Sequence, residues 1–149
     1  MEPQPVELEP GEAIHAVGRA SFRGATAAST RATFALGSAR IRRRAYQDWV
    51  DAAVGGGFPV APADMIVAVS DRRLLIGRPT FFGRAPRTYL SALSFARIAD
   101  VAAVRHGVVV GIAIALVNGH IVEIEALRSR QLRRLVHELN VRRQAPAAG

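Results

Sequence analysis

Four of five consecutive positions are arginine in Arg40-Ile-Arg-Arg-Arg44, with Tyr46 and Trp49 close behind. A guanidinium is a permanent cation whose planar fork of donors matches phosphate and carboxylate oxygens. On a helix such a run is a basic amphipathic segment, able to lie on an anionic membrane with its rings at headgroup level. The plainer alternative is a solvated helix whose Ile41–Trp49 stripe packs on its own domain. A second group follows in Pro79-Thr-Phe-Phe-Gly-Arg-Ala-Pro86, where Phe81 and Phe82 lie among Arg78, Arg84 and Arg87. Basic residues beside an anionic leaflet contribute about 1 kcal/mol each. Four arginines therefore need a second element for durable attachment. Burying one Phe adds about 1.5–3 kcal/mol, which makes the pair candidate apolar anchors. Otherwise both rings pack beneath the loop or against the arginine helix. The candidate contacts are Arg40, Arg42, Arg43, Arg44, Arg84 and Arg87 as charges, with Phe81 and Phe82 as anchors.

Much other chemistry is removed by composition. All 20 basic residues are arginine and there is no cysteine. A phosphate-loop lysine, a Schiff base, a thiol nucleophile and a thiolate metal site are therefore excluded. His15, His106, His120 and His137 share no metal-ligating spacing. His137-Glu138-Leu-Asn-Val141 opens like a zincin signature, but Val141 stands where the second histidine belongs. Asp71-Arg72-Arg73 reads as a hairpin turn in preference to an anion clamp. Gly55-Gly-Gly is followed by Phe-Pro and cannot open a phosphate-binding helix. No catalytic, cofactor or metal set emerges, so the expectation is a protein that is not an enzyme.

The charge is large and uneven. Its 149 residues carry a net +8, with seven arginines and no acid over residues 19–44. Residues 72–105 set seven arginines against Asp100, and 128–143 set six against Glu138. Such a field favours acidic partners. Nucleic acid is the rival partner, and a weaker one, since the chain has few aromatics to stack bases and no recognisable motif. The acidic, proline-containing start lacks the basic and apolar regions of a secretory signal. The longest apolar run, Val108 to Val117, falls short of the ~20 residues that span a bilayer. The expectation is a single cytoplasmic domain, 11–143, able to sit peripherally at the inner face of the membrane. Residues 1–10 and 144–149 are expected to be disordered, and a homo-oligomer is compatible with the sequence.

These residues need elements to position them. Ile41, Ala45, Trp49 and Ala52 recur at i, i+4, i+8 and i+11, which predicts a helix over Ser38–Val54. The glycine triplet ends it. Strands are predicted at about 13–19, 65–70, 73–79, 87–92, 95–104, 107–117 and 120–127. Asn118-Gly119 predicts a two-residue type I′ hairpin. That turn sets Val117 opposite His120, Ala115 opposite Val122 and Ala113 opposite Ile124. Ile112 and Ile114 then face Glu125 and Glu123 on the other side. Leu132, Leu135, Val136 and Leu139 predict an amphipathic closing helix over 128–143, with Ser129 as its cap.

Seven strands and one C-terminal helix resemble the pleckstrin-homology-like (PH-like, GRAM-like) fold of small bacterial proteins. The matching pieces are Leu8-Glu-Pro-Gly-Glu12, Val67-Ala-Val-Ser-Asp-Arg-Arg-Leu-Leu-Ile76, Phe95-Ala-Arg-Ile-Ala-Asp-Val101 and the Asn118-Gly119 hairpin. The resemblance implies a mainly β, seven-stranded antiparallel roll with a C-terminal capping helix. The stretch 24–54 is then a helical insertion after the first strand. It also implies a binding or scaffolding role, docking to anionic lipid headgroups or to an acidic protein.

Overall fold

A computed structural model describes residues 4–28, 38–80 and 86–144. In chain order it contains β1 (Val6–Glu7), β2 (Ile14–Phe22), a helical turn at 25–28 and α1 (Ser38–Gly55). There follow β3 (Asp64–Ser70), β4 (Arg73–Gly77), β5 (Thr88–Tyr89), β6 (Ser91–Ser94), a 3₁₀ turn (Phe95–Arg97) and β7 (Ile98–His106). β8 (Val109–Leu116), β9 (Ile121–Ala126) and α2 (Ser129–Gln144) complete it.

The protein is mainly β. One antiparallel sheet has the order β6-β4-β3-β2-β9-β8-β7, and β1 pairs with β5 in a small second sheet. β6 and β7 are opposite edges of the large sheet, yet only Phe95–Arg97 separates them. Three residues span about 10 Å at most, so the sheet must curl until its edges approach. Its concave face holds the core. Val67, Leu74, Leu93, Val101, Ile114 and Ile124, from six strands, join Leu132, Leu135 and Leu139 of α2 in one buried cluster. Gly18 on β2 lets that helix approach, since a Cβ there would stand 2.6 Å from Leu135 Cδ1. The predicted closing helix thus forms, with Val136 only half-buried. Its first bond runs from Leu132 N–H to the Arg128 carbonyl, so Ser129 lies inside the first turn instead of capping it.

Residues 4–10 differ from the expected disordered end. β1 pairs Val6 with Tyr89, and Val6 and Leu8 join Ile14 and Val17 against Ala68, Leu75 and Tyr89 on the convex face. Short polar and proline-containing sequence hid a strap held by two aliphatic side chains. Buried Glu12 fixes its end, as developed below. Residues 145–149 lie outside the described residues, and Gln144 ends α2.

The Tyr89 hydroxyl is buried without a hydrogen-bond partner among the described residues. Burial and the nearby Glu12 carboxylate both push its pKa up. An orphaned buried hydroxyl costs more than an absent one. Tyr89→Phe is therefore expected to raise unfolding stability by about 1 kcal/mol. Urea denaturation checks this, and a loss of stability would show that the hydroxyl has a partner.

The predicted hairpin forms between β8 and β9, but in a register shifted by one residue. Ala115 pairs with Ile121, Ile114 with Val122 and Ile112 with Ile124. Asn118 has negative φ, and only Gly119 is left-handed, at φ +94°. A type I′ turn needs positive φ at both central residues. The loop instead takes three residues, closed by Leu116 N–H to His120 O and Gly119 N–H to Leu116 O. Since side chains alternate, one step exchanges the faces. Ile112, Ile114 and Leu116 enter the core, and the two alanines turn outward.

Candidate functional site

α1 carries the arginine run, and its inner face is secured at three depths. Near its start, Arg42 grips Asp64 with Nη2 at 3.0 and 3.1 Å from the two carboxylate oxygens. The same guanidinium stands 5.7 Å above the Phe22 ring. One turn on, the Tyr46 hydroxyl donates to the Ala61 carbonyl at 2.6 Å. Burial pushes the Tyr46 pKa up, with the charge of Arg78 opposing, so Arg78 at the end of β4 lies near this helix. Next, Trp49 Nε1 donates to the Glu123 carbonyl at 2.9 Å, and its ring lies 6.4 Å from both Phe22 and Phe58. The helix ends in Gly55-Gly-Gly as expected, with Gly57 at φ +96°.

The apolar stripe was read one residue out of place at its end. Ala52 is exposed, while Val50 and Ala53 are buried. At 3.6 residues per turn the inner face advances to Ala53, four residues after Trp49. Ile112 and Ile114 lie in the core, where the shifted register puts them. Glu123 pairs with Arg23 and His106, and buried Glu125 caps the 25–28 turn through Gly24 and Thr26.

The outer face of α1 divides by charge. Arg40, Arg43 and Arg44 occupy i, i+3 and i+4, and all are exposed. Gln47, Asp48 and Asp51 continue the same face. Among the described residues no ion pair involves the three arginines. They sit toward the helix N-terminus, in a helix with no acid in its first turn. The helix dipole disfavours a cation in the first turn, where Arg40 sits.

Of the residues singled out by sequence, Arg40, Arg43 and Arg44 therefore come together on one accessible face. Arg42 lies on another face of the helix and is paired with Asp64. Arg87 is exposed just before β5. Arg84, Phe81 and Phe82 lie outside the described residues. Arg72 and Arg73 flank the predicted hairpin turn and bind Glu9 and Glu12 within the fold.

Sequence reading left a second basic face unused as a site. Arg130, Arg133, Arg134 and His137 are exposed on α2, at i, i+3, i+4 and i+7. The signal was present as the polar complement of the leucine stripe. Shallow, open grooves flank α1, two of them beside its middle turns. One, of about 380 Å³, runs beside the 25–28 turn and includes Ile41, Arg44 and Asp48. The other, of about 600 Å³, lies between Trp49 and the start of β9, with Arg23, His120 and Glu123 as its polar groups.

No helix among the described residues is long and apolar enough to cross a membrane. No protein-family model matches the sequence, and no curated protein matches it significantly.

Proposed function

We propose that this protein is a non-catalytic binding or scaffolding module of the pleckstrin-homology-like kind, which docks the outer face of α1 onto an anionic membrane surface or acidic protein. The fold assignment is supported by two antiparallel meanders that meet where β2 adjoins β9, with α2 over the core. The functional reading rests on one observation: Arg40, Arg43 and Arg44 share an exposed face and form no ion pair among the described residues. A peripheral position at the inner face of the membrane follows from it.

The apolar side of α1 is engaged with its own domain, so the helix docks by charge and does not insert. Three arginines at about 1 kcal/mol each supply about 3 kcal/mol. That falls short of the ~4 kcal/mol of even a millimolar complex. Attachment by this face alone is weak and salt-sensitive, and the Phe81–Phe82 pair is the proposed second contact.

Flotation with vesicles of anionic or neutral lipid tests the reading. Binding should require anionic lipid and decline as salt rises. Each of Arg40→Ala, Arg43→Ala and Arg44→Ala should weaken it about fivefold, the equivalent of about 1 kcal/mol. Arg42→Ala should act through stability instead. Binding that ignores lipid charge, or survives the triple substitution, would overturn the assignment. Failure on vesicles with retained capture of an acidic polypeptide would select the protein partner. Tighter binding to duplex DNA at matched salt would move the reading to nucleic acid.

A further inference from the structure

We propose that β7 is the seam of a symmetric dimer, in which a second copy of this chain adds its own β7 antiparallel to the first. Among the described residues β7 is an edge of the large sheet, and its nine residues pair on one side only, with β8. The free side is managed unequally along its length. Arg143 Nη1 donates to the Ala99 carbonyl at 3.1 Å, and Asn140 Nδ2 to the Val101 carbonyl at 3.3 Å. The Val101 N–H donates to the Asp100 carboxylate at 2.9 Å. Backbone groups alternate sides along an antiparallel strand. Since residues 99 and 101 point outward, Ala103 and Arg105 do too. Among the described residues, nothing outside the strand accepts from or donates to the backbone of either.

The bare stretch, Ala102-Ala-Val-Arg-His106, is self-complementary. An uncapped edge is a template for another strand, and a two-fold interface sets the same patch against itself. Centred on Val104, antiparallel pairing puts Ala103 opposite Arg105 of the other copy, twice over, and makes four backbone hydrogen bonds. Ala102 then lies opposite His106, and valine meets valine. Each cation faces a methyl group instead of another cation. Moving the centre to Arg105 would set the two guanidinium groups directly opposite, which is disfavoured. The strand beyond the bare stretch is already closed by Asp100, Asn140 and Arg143, so the seam has a defined length. Charge pattern and seam length together select a second copy over an unrelated strand.

Sedimentation equilibrium of the full chain, from micromolar to several hundred micromolar, tests this. The mass should rise with concentration toward twice the 16.0 kDa of one chain. Ala103→Pro removes an outward N–H without breaking the β7–β8 ladder, a position where proline is tolerated. It should weaken association at least about tenfold, with an unchanged circular-dichroism spectrum. Ala103→Glu, facing Arg105 of the other copy, should tighten association, and Ala103→Arg should loosen it. This pair decides the question even where the proline variant folds poorly. A monomer throughout the range overturns the proposal. So does a dimer that Ala103→Pro leaves intact, or one to which the Glu and Arg variants respond alike.

Discussion

Arg73→Met is expected to destabilise the protein by about 3–5 kcal/mol, the usual loss when one partner of a buried ion pair is removed. The Glu12 side chain has no solvent exposure. Arg73 binds it twice, with Nε 3.0 Å from Oε2 and Nη2 2.8 Å from Oε1. The Ser70 hydroxyl donates at 2.6 Å and the Glu9 N–H at 2.9 Å. Burial alone pushes this carboxyl up, but the hydrogen bonds from Arg73, Ser70 and Glu9 outweigh it and hold the pKa at about 2, against an ordinary 4.5. Without Arg73 the same burial is opposed only by the bonds from Ser70 and Glu9. Chemical denaturation at neutral pH measures the loss, and a change below about 1 kcal/mol would place the pair among ordinary surface bridges.

The same carboxylate sets an acid limit. Its folded pKa lies below its unfolded value, so its stabilisation is complete above about 4.5 and is lost as pH falls toward about 2. The difference corresponds to about 3 kcal/mol. Stability measured down this range should fall in the native protein and much less in Glu12→Gln, which starts lower and carries no charge to lose. Parallel curves for the two proteins would remove Glu12 as the cause.

Trp49→Ala is expected to cost about 3 kcal/mol, near the lower bound for deleting a packed aromatic because the ring is only partly buried. Two losses add: the ring contacts with Phe22 and Phe58, and the bond to the Glu123 carbonyl. Trp49→Phe separates them, since it keeps most of the packing and should cost about 1 kcal/mol. Thermal unfolding of the two variants reads the difference. Equal losses would mean that the indole bond, and not the packing, fastens the helix. Either substitution should also weaken vesicle binding if docking needs α1 in place.

Most of the fold was legible because its signals were local. The β-branched run at Met65–Val69, the glycine triplet and the leucine spacing of α2 each needed only neighbouring residues. The hairpin register was not, although Asn118-Gly119 marked the turn correctly. A two-residue and a three-residue loop share that dipeptide, and the choice fell to the core, which takes isoleucines at 112 and 114 over alanines at 113 and 115. The strap at Val6–Leu8 was invisible because its partner strand lies some eighty residues away. Of the candidate site, spacing alone grouped Arg40, Arg43 and Arg44. Nothing in the spacing distinguished Arg42, whose role depends on Asp64 across the fold.

The excursion that carries α1 leaves the sheet at Phe22 and rejoins it beside Ala63, where the Phe22 N–H donates to the Ala63 carbonyl at 3.1 Å. Its ends are thus held together by the β2–β3 ladder whatever lies between them. Closing a longer or shorter excursion changes the chain entropy only slowly, by roughly 0.6 kcal/mol for each doubling of length. The rim bearing the arginines is therefore a cassette: descendants of this sequence can lengthen, shorten or recharge it and keep the same sheet, provided side chains still lid the core where Trp49, Ala53, Phe58 and Ala61 now sit.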